Sequence, residues 1–188
     1  MPRATVGSLL LLLCLVMALP VSGRRGRLAD ISNQYYRLLC SRLHPDKELT
    51  HFAGSLGRIS AFQDKELRFV IFTADYAKPR GYRGPSNLAV TLRADGTVVH
   101  VDYVASADTP RWVKRVLDAG FLQHFRGRKA EETETIAAVT GATRTCTAMG
   151  RSVAQAVAKS APLRRALVLI GGRLAIEEND LDLRPLPD

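Results

Sequence analysis

The sequence lacks the residue patterns on which most metal sites and hydrolytic enzymes are built. It has three cysteines in 188 residues, no Cys-x-x-Cys pair, and four histidines that stand apart without metal-ligand spacing. These gaps argue against a zinc or iron–sulfur site. No glycine-rich loop ends in the lysine of a nucleoside-triphosphate site, and no Ser/His/Asp or paired-carboxylate arrangement stands out. We therefore expect no bound metal and no acid–base catalytic centre.

Aromatic residues are also scarce, and they do not support nucleic-acid binding. They make up 6% of the chain and do not alternate with basic residues along strands, as they do in sheets that bind nucleic acid. The formal net charge of +9 comes mostly from arginines scattered over the chain. Such a charge suits an acidic partner or an anionic membrane surface. We expect one of these, and no nucleic acid.

The N-terminus carries the longest apolar run. Arg3 precedes this run, which covers residues 6–19, and Val21-Ser22-Gly23 has the small residues that signal peptidase prefers. The pattern predicts a signal peptide over residues 1–23 and export of the mature chain. Because the run is only slightly shorter than a membrane span, an uncleaved N-terminal anchor is the alternative.

Cleavage would leave about 165 residues, the size of one compact domain. Cys40 and Cys146 would then lie in a compartment that permits disulfides. Sequence leaves open whether the two cysteines pair.

Hydrophobic periodicity predicts helix first and strands afterwards. Within an N-terminal helical segment, residues 24–56, Asp30 or Ser32 can begin a helix that Pro45 ends. The hydrophobic periodicity then changes and predicts two hairpins. One has strands 58–62 and 67–73, and the other has strands 88–92 and 98–104 around an Asp-Gly turn.

The second half of the chain is predicted to be helical. A helix opens at Pro110 and closes at Gly120, a short turn follows over 121–125, and a longer helix runs to about Lys159. Strands followed by helices, without βα alternation, indicate an α+β fold: a twisted, mainly antiparallel sheet packed with helices in a single domain. The C-terminal segment, 161–188, holds an apolar stretch that is a strand or a helix end, and a tail expected to be partly disordered.

The segment Thr140-Gly141-Ala142-Thr143 has small, hydroxyl-bearing residues just before the longest of these helices. A helix N-terminus offers free N–H groups and a partial positive charge, and small residues let a phosphate approach. Thr145 adds a third hydroxyl and Arg144 a cation. The alternative is an ordinary threonine cap.

This segment resembles the Ser/Thr-Gly-Ala-Thr motif of the FMN-binding domain family. Two further stretches match the family in the same order: the loop at residues 81–85, Gly-Tyr-Arg-Gly-Pro, and the loop Asp108-Thr109-Pro110, which precedes a helix and a Phe-Leu-x-x-Phe-x-Gly segment. Together the matching stretches span about residues 58–160, so we expect an FMN-binding domain over 57–160.

The resemblance implies a function and a cofactor. In that family a flavin transferase joins FMN through its phosphate to the last threonine of the motif, here Thr143. Members include FMN-carrying subunits of the Rnf complex and of the sodium-pumping NADH:quinone reductase, and periplasmic flavin domains of nitrous-oxide respiration regulators, which this chain resembles most. The resemblance thus implies an electron carrier on the periplasmic side of a bacterial inner membrane, which works with a membrane-bound electron-transfer complex or another redox partner rather than as a stand-alone enzyme.

The resemblance also assigns cofactor-binding residues. These are Thr140, Gly141, Ala142, Thr143, Thr145, Asp108, Thr109 and Trp112. Trp112 can stack on the flavin ring or belong to the core, and Thr109 can contact flavin or cap the helix that starts at Pro110. Tyr82 is expected to pack inside its loop.

One residue departs from the family pattern. The family has an acidic residue six positions before the modified threonine, whereas this chain has Ala137. Two alternatives to covalent FMN are therefore open: noncovalently bound FMN, or a flavin-free binding or regulatory module that keeps the fold. Cys146 is expected on the buried face of its helix, where a thiol is more often inert than redox-active.

Overall fold

A computed structural model of the chain describes residues 21–54, 56–169 and 184–185, with side chains over 32–53 and 56–169. The chain divides into two compact units, Met1–Arg42 and Leu43–Asp188. Nearly all of the predicted signal peptide and most of the predicted disordered tail lie outside the described residues. Within the described part of the chain, no helix combines the length and apolar character needed to cross a membrane.

One helix, α1, occupies Val21–Leu43. The prediction that it begins at Asp30 or Ser32 is wrong, because both residues lie inside the helix. No proline interrupts the stretch, and interior Asp and Ser cost a helix only a fraction of a kcal/mol, roughly 0.5 each. The predicted end before Pro45 is confirmed.

The second unit is built on an antiparallel sheet whose first five strands follow one another in sequence order. The strands are β1 (Thr50–Gly54), β2 (Gly57–Gln63), β3 (Leu67–Phe72), β4 (Ser86–Arg93) and β5 (Val98–Ser106). A two-residue strand, β6 (Arg184–Pro185), pairs with the free edge of β1. Both predicted hairpins are confirmed, with Val70 opposite Ser60 and Val90 opposite Val101.

Strand β1 lies within the segment predicted to be helical, which is helical only as far as Leu43. Its five residues are Thr-His-Phe-Ala-Gly, and Phe52 alone is a large apolar residue. A pattern with one strong apolar position is too weak to indicate a strand. Pairing with β2 supplies what the local sequence lacks.

The Asp-Gly turn between β4 and β5 forms as predicted, with Gly96 at φ 89°. Its backbone is also close to a buried cation: a Cβ at Gly96 would lie 2.9 Å from the Arg164 guanidinium. Arg164 donates hydrogen bonds to the carbonyls of Ala94 (3.2 Å) and Val157 (3.0 Å). The turn is therefore fixed to the helical layer.

The predicted helices occur in the predicted order, and two short helices that were not predicted, Thr73–Tyr76 and Ala130–Thr133, accompany them. They are α2 (Thr73–Tyr76), α3 (Pro110–Asp118), a 3₁₀ helix (Phe121–Phe125), α4 (Ala130–Thr133), α5 (Thr143–Lys159) and α6 (Ala161–Leu169). The opening of α3 at Pro110 and the short turn at 121–125 are confirmed. The apolar stretch near residue 166, left open between strand and helix, is the end of α6.

The core lies between one face of the sheet and the helices, with α5 at its centre. Met149, Val153 and Val157 are buried on the inward face of α5, the face on which Cys146 was expected and is found. They join one cluster with Ile71 and Val90 of the sheet. Burial of each such side chain contributes about 1.5–3 kcal/mol. The predicted α+β class is confirmed, and this packing fixes where the first turn of α5 lies.

Candidate functional site

The first turn of α5 is not capped by a side chain. Ala142 is the capping residue, with φ −129° and ψ 24°, and no side chain bonds to the first-turn amides from that position. Gly141 precedes it at φ 80°, in the left-handed region that favours glycine. The alternative in which a threonine simply caps the helix is therefore wrong for this structure. The helix begins with N–H groups and a positive dipole end that remain available to an anion.

The three predicted hydroxyls have different surroundings. Thr140 and Thr143 are exposed, and no hydrogen bond ties either hydroxyl to another described residue. Thr145 is fully buried, and its hydroxyl donates a 2.7 Å hydrogen bond to Asp108 Oδ2. The structure thus presents two of the three hydroxyls to a ligand and commits the third to the protein.

Asp108 connects the three motifs that the sequence analysis singled out. Its Oδ1 accepts hydrogen bonds from the backbone N–H of Arg83 (2.8 Å), in the 81–85 loop, and of Thr109 (2.7 Å). Its Oδ2 accepts the bond from Thr145 at the start of α5. Asp108 is 5% exposed. The three motifs, which are separate in sequence, therefore meet at this buried carboxylate.

Two glycines of the 81–85 loop lie tightly against the segment that contains Asp108. A Cβ at Gly81 would overlap the Asp108 carboxylate, and a Cβ at Gly84 would lie 2.7 Å from the Ala107 carbonyl oxygen. Any larger residue at either position would push the loop away from Asp108. The glycines therefore allow the backbone to approach the carboxylate closely.

The Asp108 carboxyl is ionised at neutral pH. Burial alone would raise its pKa, but the hydrogen bonds from the Arg83 N–H, the Thr145 hydroxyl and the Thr109 N–H together outweigh burial and lower the pKa. An ionised carboxylate with these three donors has a structural role in the described protein. Thr109 starts α3 through its backbone, without a side-chain cap, so its predicted capping hydroxyl is not observed.

An aromatic pair lies beside the uncapped helix start. The Tyr82 and Trp112 ring centroids are 5.7 Å apart, with the planes tilted by 32°. The Arg144 guanidinium lies 5.7 Å from the Tyr82 ring centre, and that of Arg111 lies 4.0 Å from the Trp112 ring centre. Tyr82, which was expected to pack its loop, is 45% exposed. Trp112 is half-buried, between its two predicted roles.

Arg115 is a cation of the site that the sequence analysis missed. A Cβ at Gly141 would lie 3.3 Å from Arg115 Nη1, so the guanidinium lies against the Thr-Gly-Ala-Thr segment. Arg115 follows Trp112 by three positions on α3, and residues three apart share a helix face. This three-residue spacing from Trp112 could have identified Arg115 from the sequence. Arg115 and Arg144 now bring positive charge to the segment from two helices.

Cys146 lies buried in the first turn of α5 and contacts the segment that leads into the motif. It is 1% exposed, and its Sγ accepts a 3.4 Å hydrogen bond from the Val139 N–H. Burial raises the pKa of the thiol, which favours the inert form. Among the described residues, neither Cys40 nor Cys146 forms a disulfide. Of the residues leading into the motif, Ile136 and Val139 are half-buried and Ala137 is exposed.

The arrangement is suited to a phosphate that carries a flat aromatic group. The uncapped amides, Arg115 and Arg144 favour a dianion, and the Thr143 hydroxyl is at the same helix end. The Tyr82–Trp112 pair offers ring surface for stacking. Flavin mononucleotide carries both a phosphate and a flat ring system, so the residues present fit that group.

Comparison with known proteins agrees with this fit. Residues 81–158 match the model of the FMN-binding domain. The match begins at the glycine that approaches Asp108 and ends within α5, so it contains all three motifs. A search of curated proteins found no match to the chain.

Proposed function

The chain belongs to the FMN-binding domain family through residues 81–158, and on that premise we propose that it is an exported electron-transfer protein carrying FMN covalently on Thr143. A flavin transferase would form a phosphoester from a flavin dinucleotide: Thr143 Oγ1 loses its proton and bonds to the FMN phosphorus, and the pyrophosphate bond breaks with release of the nucleoside monophosphate. The observation that carries the proposal is the exposed Thr143 hydroxyl in the uncapped first turn of α5.

Several residues would hold the cofactor. The first-turn amides of α5, with Arg115 and Arg144, would bind the phosphate, and Gly141 and Ala142 leave room for it. Thr140 would offer a second exposed hydroxyl. Trp112 and Tyr82 would provide the surface for the ring. Each of these groups lies at the same end of α5 or on the elements packed beside it.

Asp108 and Thr145 would act on the cofactor indirectly. Their hydrogen bond is buried and fixes the start of α5 against the 81–85 loop. We propose that they position Thr143 rather than touch the flavin. Thr109, half-buried beside Asp108, stays a predicted flavin contact.

Bound FMN supplies reversible electron uptake and release, and the protein supplies anchoring, orientation and tuning. Electrons would pass between a membrane-bound complex and an acceptor on the periplasmic side. Export is proposed from the apolar N-terminal run, and a covalent link would keep FMN from diffusing away outside the cytoplasm. Fractionation and the intact mass of the mature chain test export and cleavage after Gly23.

The covalent link is tested by co-expressing the full chain with a flavin transferase and measuring intact mass and in-gel flavin fluorescence. We expect a mass gain of one FMN less one water, lost completely in Thr143→Val. Thr140→Val is the matched control, since it removes an exposed hydroxyl from the same segment, and it should keep the fluorescent band. Modification that persists in Thr143→Val would refute the assignment.

The flavin-free alternative rests on Ala137, which is exposed where the family has an acidic residue. Unmodified, colourless wild-type protein would support that alternative. Ala137→Asp then shows whether the missing carboxylate is the cause: a flavin band in this variant would locate the defect in transferase recognition. A colourless variant would mean that the chain is a binding or regulatory module.

A further inference from the structure

A cleft of about 610 Å³ runs along α5, beginning next to Thr143. Arg144 and Arg151 line it from α5, and Lys78 and Arg80 line it from the segment before the 81–85 loop. Arg144 and Arg151 are seven residues apart, about 10 Å along a helix axis. The cleft is thus a basic surface with two walls, next to the proposed flavin site.

None of the four cations is neutralised by the part of the chain that the structure describes. No carboxylate among residues 32–53 and 56–169 forms an ion pair with them, and α5 contains no acidic residue. Elsewhere in the second unit, carboxylates do lie against cations, as in the pairs Arg58–Asp75 (2.7 Å) and Lys114–Asp118 (2.7 Å). Four like charges in one cleft repel one another, and an anionic partner would relieve that repulsion.

The shape and exposure of the cleft favour a protein partner over a small ligand. Small-molecule sites are enclosed and mostly apolar. This cleft is lined mainly by charged and polar side chains, including Thr147 and Gln155, and all four cations are exposed. Exposed charges spread over about 10 Å suit brief contact with an acidic surface, where complementary charge speeds encounter and fixes orientation.

We propose that the cleft lined by Lys78, Arg80 and Arg151 is the docking surface for a carboxylate-rich segment of a redox partner protein, with Arg144, which would hold the FMN phosphate, at the end nearest the flavin. Arg144 belongs to the cleft and directly follows Thr143, so a docked partner would lie within one helical turn of the flavin attachment point. The electron-transfer role of the contact rests on the proposed function. The docking itself does not.

The docking test uses the full chain and a fluorescein-labelled glutamate-rich peptide of about ten residues, with binding followed by fluorescence anisotropy. We expect binding that weakens as salt rises. The double variant Lys78→Gln/Arg151→Gln should bind about five- to tenfold more weakly, since each exposed charge pair contributes up to about 1 kcal/mol. The matched control is Lys65→Gln/Arg126→Gln, which removes two exposed cations outside the cleft and should change affinity less than twofold.

Four outcomes would overturn the proposal. Equal weakening in both double variants would show attraction by net charge alone, and no measurable binding would show that the cleft does not recognise carboxylates. Competition by inorganic phosphate at the peptide's own concentration would indicate a small-anion site. Stronger peptide binding after Glu177→Gln/Glu178→Gln would indicate that the chain's own acidic tail occupies the cleft.

The intact mass of the same variants keeps this test separate from the proposed function. The cleft variants should keep FMN on Thr143, so loss of peptide binding with flavin retained supports docking. If the chain stays without flavin after co-expression with a flavin transferase but still binds the peptide, docking is supported and the electron-transfer proposal is refuted.

Discussion

Two threonines only two positions apart on α5 have opposite surroundings. Thr143 is exposed and its hydroxyl is open to a ligand, whereas Thr145 is buried and its hydroxyl bonds to Asp108. Residues two apart on a helix point about 200° away from one another. The same side chain thus serves the ligand at one position and the scaffold at the other. The motif has an outer layer for chemistry and an inner layer that holds it in place.

The strongest way to break this inner layer is Asp108→Ala. The change removes a buried acceptor from three donors, so we expect the free energy of unfolding to fall by about 3 kcal/mol. Urea denaturation of the unmodified chain measures it. A loss below about 0.5 kcal/mol, typical of surface substitutions, would mean that Asp108 does not hold the three motifs together.

The comparison between the two threonines is sharpened by Thr145→Val. Loss of a buried hydrogen bond to a carboxylate should cost about 2 kcal/mol. Thr145→Ser keeps the hydroxyl and should restore part of the loss. Thr143→Val should cost less than about 0.5 kcal/mol, because the exposed hydroxyl makes no bond within the described protein. Equal losses at the two positions would remove the distinction between layers.

The smallest expected effect is the pH dependence of the inner layer. The pKa of Asp108 is lowered in the folded protein. Its contribution to stability is therefore fully present above the unfolded pKa of about 3.9 and is lost as pH falls through the folded pKa. We expect the stability difference between wild type and Asp108→Asn to shrink as pH falls below about 4. Urea titrations at several pH values measure this, and a difference that grows on acidification would contradict the assignment.

Local sequence predicted the strands and helices where the signal was strong. The hairpin at residues 88–104 has two apolar runs around an Asp-Gly turn, and α3 starts at a proline; both formed as expected. Strand β1 was missed because a single large apolar residue, Phe52, carries its pattern. The start of α1 was placed too late because Asp30 and Ser32 have the composition of a cap.

The candidate site was predicted in part. Position in the chain and resemblance identified Thr143 and the two supporting loops. Neither could show that Thr145 faces Asp108, that Tyr82 lies against Trp112, or that Arg115 reaches Gly141. These contacts join residues 30 or more positions apart or on different elements, so no local pattern records them.

The amino-acid sequence alone determined the motifs and the α+β succession of strands and helices, because these depend on neighbouring residues. It also determined the excess positive charge, which depends only on composition. The roles within the motifs came from packing. Burial of the inward face of α5 on the sheet brings its first turn against Asp108, and that contact leaves Thr143 outside and Thr145 inside. Arg144 and Arg151 of the same helix line one cleft with Lys78 and Arg80.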